Sequence, residues 1–299
     1  MQRRDFLVAL ALAALTGRPA HGQLTMQRRP IPSSGEELPV VGFGTWQSFD
    51  VDPEDEDAMS GLREVLDILA AHGGSVVDSS PMYGRAEEVV GRLLRDELFL
   101  ATKVWTRGRN AGREQIARSR RLMARGGTLD LVQVHNLVDW RVQLDALRAM
   151  RRDGSIRYIG LTHYTDRGRR ELIDVLERVD DVDFVQCAYS LVEPGAADDL
   201  LPLCTEREIA FIANRPFAGG AAFRRTRDHA VPGWAQARFD ARTWAQFFLK
   251  FVLAHPAVTC VIPGTGHPRY ALDNVKAGFG ALPDANDRAR MIELWDAMR

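Results

Sequence analysis

The chain has 299 residues, of which 45% are hydrophobic and 26% are charged, a composition typical of a globular protein and not of a disordered one. Its 39 basic and 40 acidic side chains leave a net charge of −1, so we expect no nucleic-acid partner. The cysteines Cys187, Cys204 and Cys260 lack the spacing of a disulfide framework or a zinc site. We therefore predict buried thiols and no bound metal.

Residues 1–22 have the layout of a signal peptide. The pair Arg3 and Arg4 precedes an apolar run that ends at Leu15, and small residues follow it. This order resembles the twin-arginine export signal, which predicts recognition by the export machinery and a periplasmic location. A second Gln-Arg-Arg run begins directly after Met26. Translation from that methionine would leave the protein in the cytoplasm, and this alternative stays open.

Residues 28–299 are predicted to form one domain that begins with a β-hairpin. The opening IPSSGEELPVVGFGTW places a turn between two short apolar runs, and a first buried strand is predicted near Val41 to Thr45. Seven further strand-like runs follow: SVVDSS, ELFLATK, LDLVQVH, IRYIGLTHY, VDFVQCAYS, EIAFIANRP and AVTCVIPGT.

Segments with the helical period separate these strands. In EDEDAMSGLREVLDILAAHG and REQIARSRRLMARG, for example, apolar residues recur every three or four positions. Gly73, Gly126 and Gly154 follow such segments and are predicted to cap helix ends. Eight strands that alternate with helices predict a (β/α)8 TIM barrel. A doubly wound open sheet is the second choice, because no strand is followed by the Gly-x-Gly-x-x-Gly turn of dinucleotide-binding sheets.

Polar side chains stand at the carboxyl ends of successive predicted strands, where barrel enzymes place their catalytic groups. Asp78 ends the second strand, and Tyr83 lies in the loop that follows. Lys103 ends the third strand and His135 ends the fourth. The later strands lead into Thr162, His163, Gln186, Asn214, Arg215, Gly264 and Thr265.

The runs VVDSSPMYG, LFLATKVW, LVQVHN, IGLTHY, VQCAYS and VIPGT resemble, in order and spacing, the aldo-keto reductases over roughly residues 28–280. The resemblance implies an NAD(P)H-dependent enzyme that reduces aldehydes or ketones to alcohols. It also implies a catalytic tetrad of Asp78, Tyr83, Lys103 and His135.

The residue types of this tetrad suit carbonyl reduction. A phenol can protonate the carbonyl oxygen, and a positive charge on Lys103 would lower the pKa of Tyr83. Asp78 would orient the lysine, and His135 would donate a hydrogen bond to the same oxygen.

The resemblance also implies where the cofactor binds. It assigns cofactor contacts to Thr45, Trp46, Thr162, His163, Gln186, Asn214, Arg215, Pro216, Phe217, Gly264, Thr265, Arg269 and Asn274. Thr162 and His163 take the positions that hold the nicotinamide carboxamide, and Asn214 or Arg215 stands where the family usually has a tyrosine. At the two positions where members of the family usually bind the 2′-phosphate with a lysine and an arginine, this chain has Gly264 and Tyr270. Arg269 is the side chain that would replace this contact. We therefore expect NADP(H), with NAD(H) as an alternative.

Trp46, Met82 and Trp105 are predicted to line the substrate entrance, which favours an apolar or aromatic carbonyl compound. We expect a monomer. A metal-dependent hydrolase on the same barrel would need more histidines and carboxylates at the strand ends than His135 and His163 supply. A second function stays open, namely an exported or regulatory nicotinamide-nucleotide-binding protein with little turnover, because no nicotinamide pool is expected outside the cytoplasm.

Overall fold

The strands and helices alternate as predicted, and the strands form a barrel. The computed structural model describes residues 25–298, so the predicted signal of residues 1–22 lies outside the described residues. The barrel strands are β3 (Phe43–Gly44), β4 (Val76–Asp78), β5 (Phe99–Val104), β6 (Leu129–His135), β7 (Ile156–Thr162), β8 (Phe184–Ala188), β9 (Ala210–Asn214) and β10 (Val258–Val261).

All neighbouring strands from β3 to β10 pair in parallel and in sequence order. The isolated bridges Val41–Val261 and Gly44–Gly264 join the first strand to the last. The sheet is therefore a ring, which confirms the (β/α)8 barrel, and the alternative of an open doubly wound sheet is wrong.

The predicted N-terminal hairpin is present and covers the amino end of the barrel. Strands β1 (Arg28–Pro30) and β2 (Glu37–Pro39) pair antiparallel. Ile31 and Leu38 are buried in the same cluster as residues that begin barrel strands, among them Val76, Phe99 and Phe184. The hairpin thus closes this end with apolar side chains and leaves the carboxyl ends of the strands open.

The helices that follow the barrel strands bury an apolar face against them. They are α1 (Glu56–Ala71), α2 (Ala86–Arg92), α3 (Arg109–Met123), α4 (Trp140–Arg152), α5 (Asp166–Leu176), α6 (Leu200–Glu206), α7 (Ala221–Thr226), α8 (Gly233–Phe239), α9 (Trp244–Leu253), α10 (Pro268–Val275) and α11 (Ala285–Ala297). Gly73, Gly126 and Gly154 have φ values of 81°, 87° and 78°, so they provide the left-handed residue that commonly ends a helix, as predicted.

Two further sequence features can be located in the fold. Cys187, Cys204 and Cys260 are free and buried, in agreement with the predicted thiols. Within residues 25–298, no helix has the length and apolar content needed to cross a membrane.

Candidate active site

A cavity of about 600 Å³ opens at the carboxyl ends of the barrel strands. It collects side chains from turns that are far apart in sequence, because parallel strands all end on the same side of the barrel. Its walls include fourteen of the predicted site residues, namely Thr45, Trp46, Asp78, Met82, Tyr83, Trp105, His135, Thr162, Gln186, Asn214, Arg215, Pro216, Phe217 and Gly264.

Asp78 and Lys103 form a buried ion pair beside this cavity. Strands β4 and β5 pair Asp78 with Ala101, so Lys103 lies two residues further along on the same face. The Lys103 Nζ atom donates to Asp78 Oδ2 at 2.5 Å and to the Ser79 carbonyl oxygen at 2.7 Å. Burial by itself lowers the pKa of Lys103, but the charges of Asp78 and Tyr83 raise it above its ordinary value. The lysine therefore stays charged in the barrel.

Tyr83 lies in the turn after β4, with its ring next to this lysine. The Lys103 Nζ atom is 5.2 Å from the centroid of the Tyr83 ring. Burial raises the pKa of Tyr83, and the charge of Lys103 opposes this rise without cancelling it. The charge of Lys103 does lower the pKa of Tyr83, as predicted, but the net shift is upward, because desolvation of the phenolate outweighs the attraction of the ammonium. Tyr83 is thus protonated at neutral pH, as an ordinary phenol is, and this is the form that can give a proton.

His135 ends β6 and is neutral at physiological pH. Burial, with the charges of Lys103 and His163, lowers the pKa of His135 to about 3. Its Nδ1 atom lies 3.3 Å from Ser80 Oγ, which already accepts a hydrogen bond from the Met82 amide. This arrangement favours donation by the Ser80 hydroxyl to Nδ1, which leaves the imidazole proton on Nε2 as a donor.

Three aromatic rings meet at the cavity wall. The His135 ring is perpendicular to the Tyr83 ring at a centroid distance of 6.2 Å and tilted against the Trp105 ring at 5.6 Å. The exposed fractions of Trp46, Met82 and Trp105 are 54%, 42% and 40%. These large side chains are accessible at the cavity, which suits an apolar ligand.

A network of amide side chains extends from Asp78 across the barrel. Asp78 Oδ1 accepts hydrogen bonds from Gln133 Nε2 at 3.1 Å and from Gln186 Nε2 at 3.0 Å. Gln186 Oε1 in turn accepts from the Thr162 hydroxyl at 3.1 Å and from Asn214 Nδ2 at 3.3 Å. The carboxylate is thus surrounded by donors, which stabilises its negative charge in a buried place.

The cavity wall contains buried polar atoms that have no partner. The Oδ1 atoms of Asn136 and Asn214 are shielded from solvent and accept no hydrogen bond within the described chain. An unpaired buried acceptor costs free energy, so each is suited to receive a donor from a ligand. The backbone at Gly219 and Gly220 also lines the cavity without a side chain. The free amide oxygens suit the N–H groups of a nicotinamide carboxamide, and the backbone without side chains leaves room for phosphates. The cavity wall therefore fits a nicotinamide nucleotide.

Four predicted cofactor residues lie away from the cavity lining, namely His163, Thr265, Arg269 and Asn274. His163 Nδ1 accepts from the Tyr164 amide at 2.9 Å. A Cβ atom on Gly168 would overlap the His163 ring, so the imidazole packs against the start of α5.

Thr265, Arg269 and Asn274 belong to the turn between β10 and α10 and to that helix. Thr265 and Asn274 are buried, whereas Arg269 is exposed in the first turn. The cofactor contacts expected at Gly264 and Thr265 remain a prediction.

Several residues that contribute to the site are not among the predicted ones. Gln133, Ser80, Asn136 and Tyr164 contact the tetrad or line the cavity. Gln133 could have been found, because a glutamine within the apolar run LDLVQVH is out of place in a buried strand. Tyr164 is 47% exposed, and its ring is 6.0 Å from the Arg215 guanidinium. Nothing in the local pattern distinguishes it from an ordinary loop tyrosine.

Known proteins that are similar to this chain are consistent with this arrangement of side chains. Residues 40–288 match the aldo/keto reductase family. The methylglyoxal reductase YeaE of Escherichia coli is 28% identical over 250 residues, which cover 79% of this chain and 84% of the relative. The uncharacterized oxidoreductase C215.11c of Schizosaccharomyces pombe is 30% identical over 260 residues, covering 80% of this chain and 78% of the relative.

A similar solved structure is the aldo/keto reductase of Klebsiella pneumoniae in complex with NADP and acetate. It superposes with a TM-score of 0.73 at 25% identity, over 87% of this chain and 93% of the other. Since the family match spans most of the barrel, this chain belongs to the aldo/keto reductase family.

Proposed function

We propose that this protein reduces aldehydes or ketones to alcohols with a nicotinamide nucleotide, and that Tyr83 gives the proton. The proposal rests on one observation. The charged Lys103 is held between Asp78 and the ring of Tyr83, beside a cavity of about 600 Å³ at the carboxyl ends of the strands. An ammonium in this place stabilises the phenolate that remains after the proton leaves.

The bound nucleotide supplies the hydride to the carbonyl carbon. The side chains of this chain then act on the carbonyl oxygen. Tyr83, which is protonated at neutral pH, donates to that oxygen as negative charge develops. Neutral His135 donates a second hydrogen bond, which fixes the orientation of the carbonyl and stabilises the developing alkoxide. Asp78 holds Lys103 in place through their hydrogen bond.

We propose NADPH as the preferred reductant, with NADH as a weaker one. Support comes from the Klebsiella pneumoniae structure, which contains NADP. An NADH-specific methylglyoxal reductase of Escherichia coli is also similar, at 25% identity over 260 residues. Thr162, Gln186 and Asn214 would hold the carboxamide, and the unpaired Asn214 Oδ1 would accept from its amide group.

The proposed substrate is a small carbonyl compound with an apolar or aromatic substituent. Trp46, Met82 and Trp105 present exposed apolar surface at the cavity. Two of the similar proteins are methylglyoxal reductases, so a small aliphatic dicarbonyl is the second substrate to assay.

The Tyr83→Phe substitution, which removes the phenol oxygen, tests this proposal. Purified residues 23–299 are assayed for NADPH oxidation with benzaldehyde and with methylglyoxal. We expect the Tyr83→Phe variant to lose at least about 100-fold in kcat, because it removes the proton donor. Cofactor affinity should stay unchanged, since the phenol makes no contact that the nucleotide needs. A variant that keeps most of its activity would exclude Tyr83 as the donor.

We also propose that the chain is exported in its folded, cofactor-loaded form to the periplasm. Support comes from the sequence alone, where Arg3 and Arg4 stand before the apolar run. Replacing both by lysine keeps the charge but loses the planar guanidinium groups. We expect the double variant to stay in the cytoplasm with its leader uncleaved. Equal distribution of wild type and variant would instead support translation from Met26.

Export favours a second candidate function, a nucleotide-binding protein with little turnover. A protein that leaves the cytoplasm with one bound cofactor has no nicotinamide pool to renew it. The absorbance spectrum of the nucleotide that co-purifies with the exported form tests this alternative. A tightly retained nucleotide without steady-state turnover would favour binding over catalysis.

A further inference from the structure

Glu87 is a buried carboxylate that the proposed chemistry does not use. It lies in the first turn of α2, and its exposed fraction is only 3%. Its Oε1 atom accepts a hydrogen bond from the Thr102 hydroxyl at 2.6 Å. Burial raises the pKa of Glu87, and no salt bridge to it occurs within residues 25–298. A buried ionisable group costs free energy that an apolar side chain would avoid.

The bond from Thr102 to Glu87 joins the two elements that carry the phenol and the ammonium. Thr102 directly precedes Lys103 in β5, and successive strand residues face opposite sides. Lys103 therefore points toward Asp78 inside the barrel, while Thr102 points outward to α2. The same helix continues the Tyr83 turn, because the Ala86 amide donates to the Tyr83 carbonyl oxygen at 3.1 Å.

The turn that carries Tyr83 is also held on its outer side, by Asp50. The Arg85 amide donates to Asp50 Oδ1 at 2.9 Å. Gly84 has a φ of 59°, and a Cβ atom there would lie 2.1 Å from the same oxygen. The turn that carries Tyr83 is thus fixed from outside by Asp50 and from inside by Glu87.

We propose that Glu87 is a positioning residue, which sets the distance between the Tyr83 ring and Lys103 through its hydrogen bond with Thr102. This inference rests on the proposed function for the role of Tyr83. Proton transfer depends steeply on geometry, and a displacement of about 1 Å can cost about 100-fold in rate. Without the Glu87 acceptor, α2 loses its hydrogen bond to β5, and the phenol moves relative to the ammonium.

Three variants and one control separate this role from plain stabilisation. Glu87→Ala removes the acceptor, Glu87→Gln keeps an oxygen acceptor but removes the charge, and Thr102→Val removes the donor. The control is Glu88→Ala, since the neighbouring carboxylate is partly exposed and forms an ion pair with Arg92 on the same helix. Each protein is tested for kcat and KM with an aldehyde, for NADPH affinity, and for hydrogen exchange in residues 80–86.

We expect kcat of Glu87→Ala to fall about 10- to 100-fold while NADPH affinity changes less than about twofold. Thr102→Val should show a similar loss, and adding it to Glu87→Ala should cause little further loss, because both remove the same bond. Glu87→Gln should recover most of the rate, and Glu88→Ala should match wild type. Exchange in residues 80–86 should rise in Glu87→Ala and Thr102→Val only.

A folded Glu87→Ala protein with wild-type kcat overturns the inference, and so does a Glu87→Gln protein that is as slow as Glu87→Ala. Hydrogen exchange requires no turnover. If the wild type reduces no carbonyl compound, the proposed function fails. Exchange in residues 80–86 then decides alone whether Glu87 fixes the turn, and unchanged exchange overturns that role.

Discussion

Lys103→Met removes the charge next to the phenol and keeps an unbranched side chain that is one heavy atom shorter. At the observed 5.2 Å from Nζ to the ring centroid, and with an effective dielectric constant of about 20, one ammonium stabilises a phenolate by about 3 kcal/mol. Asp78, bonded to the same nitrogen, offsets part of this effect. If about 1.5 kcal/mol of this stabilisation of the phenolate remains, it corresponds to about one unit in the pKa of Tyr83.

Because a positive neighbour lowers the phenol pKa, its loss should raise the pKa of Tyr83 further. Alcohol oxidation with NADP⁺ needs the phenolate, so the assay is the pH dependence of kcat in that direction. We expect the apparent pKa to move up by about one unit and the rate of aldehyde reduction to fall at least about tenfold.

The variant should also be less stable, because Asp78 would lose its buried partner at a cost of about 3–5 kcal/mol. Thermal unfolding and NADPH affinity therefore have to be measured with each preparation. Asp78→Asn is the matched control, since it keeps the lysine and the shape of its partner. A folded, cofactor-binding Lys103→Met protein with an unchanged pH profile would refute the electrostatic role of Lys103.

Three further predictions follow from the buried titratable groups and the cofactor turn. Burial and Lys103 lower the pKa of His135 to about 3, so kcat/KM for reduction should show no step from His135 between about pH 5 and 8; a step that vanishes in His135→Gln would contradict this. Burial lowers the pKa of Lys250 from 10.5 to about 8. Between these two pH values the unfolded chain binds more protons than the folded one, so the free energy of unfolding should rise with pH there. Denaturant titrations of wild type and Lys250→Met test this, and an equal pH dependence in both would count against it. Arg269→Ala should reduce the preference for NADPH over NADH about tenfold if the guanidinium contacts the 2′-phosphate, and unchanged dissociation constants would exclude that contact.

The sequence predicted the barrel because the signals for it are local. Strand-like runs, helical periods and glycines such as Gly73 and Gly154 depend on neighbours only a few residues away. The positions of Asp78, Lys103 and His135 followed from one further rule, that parallel strands end on the same side of a barrel. These three side chains do meet at or beside the cavity.

The remaining features depend on three-dimensional packing that spacing does not encode. His163 follows Thr162 at the end of β7, but its ring turns toward Gly168 because only a glycine there leaves room for it. The pKa of Tyr83 is raised because burial exceeds the effect of one charge, and burial depends on the whole barrel. Glu87 looked like any other acidic residue at a helix start, since its partner Thr102 lies on another element.

We propose that at the Tyr83 site a hydride passes from a nicotinamide nucleotide to a carbonyl carbon and a proton passes to its oxygen. The most direct measurement uses NADPH that carries deuterium at the transferable position of the nicotinamide. With benzaldehyde, mass spectrometry should find one deuterium on the alcohol carbon for each NADPH consumed by wild type, and almost no product with Tyr83→Phe. Alcohol without deuterium, or equal product from both proteins, would contradict the account.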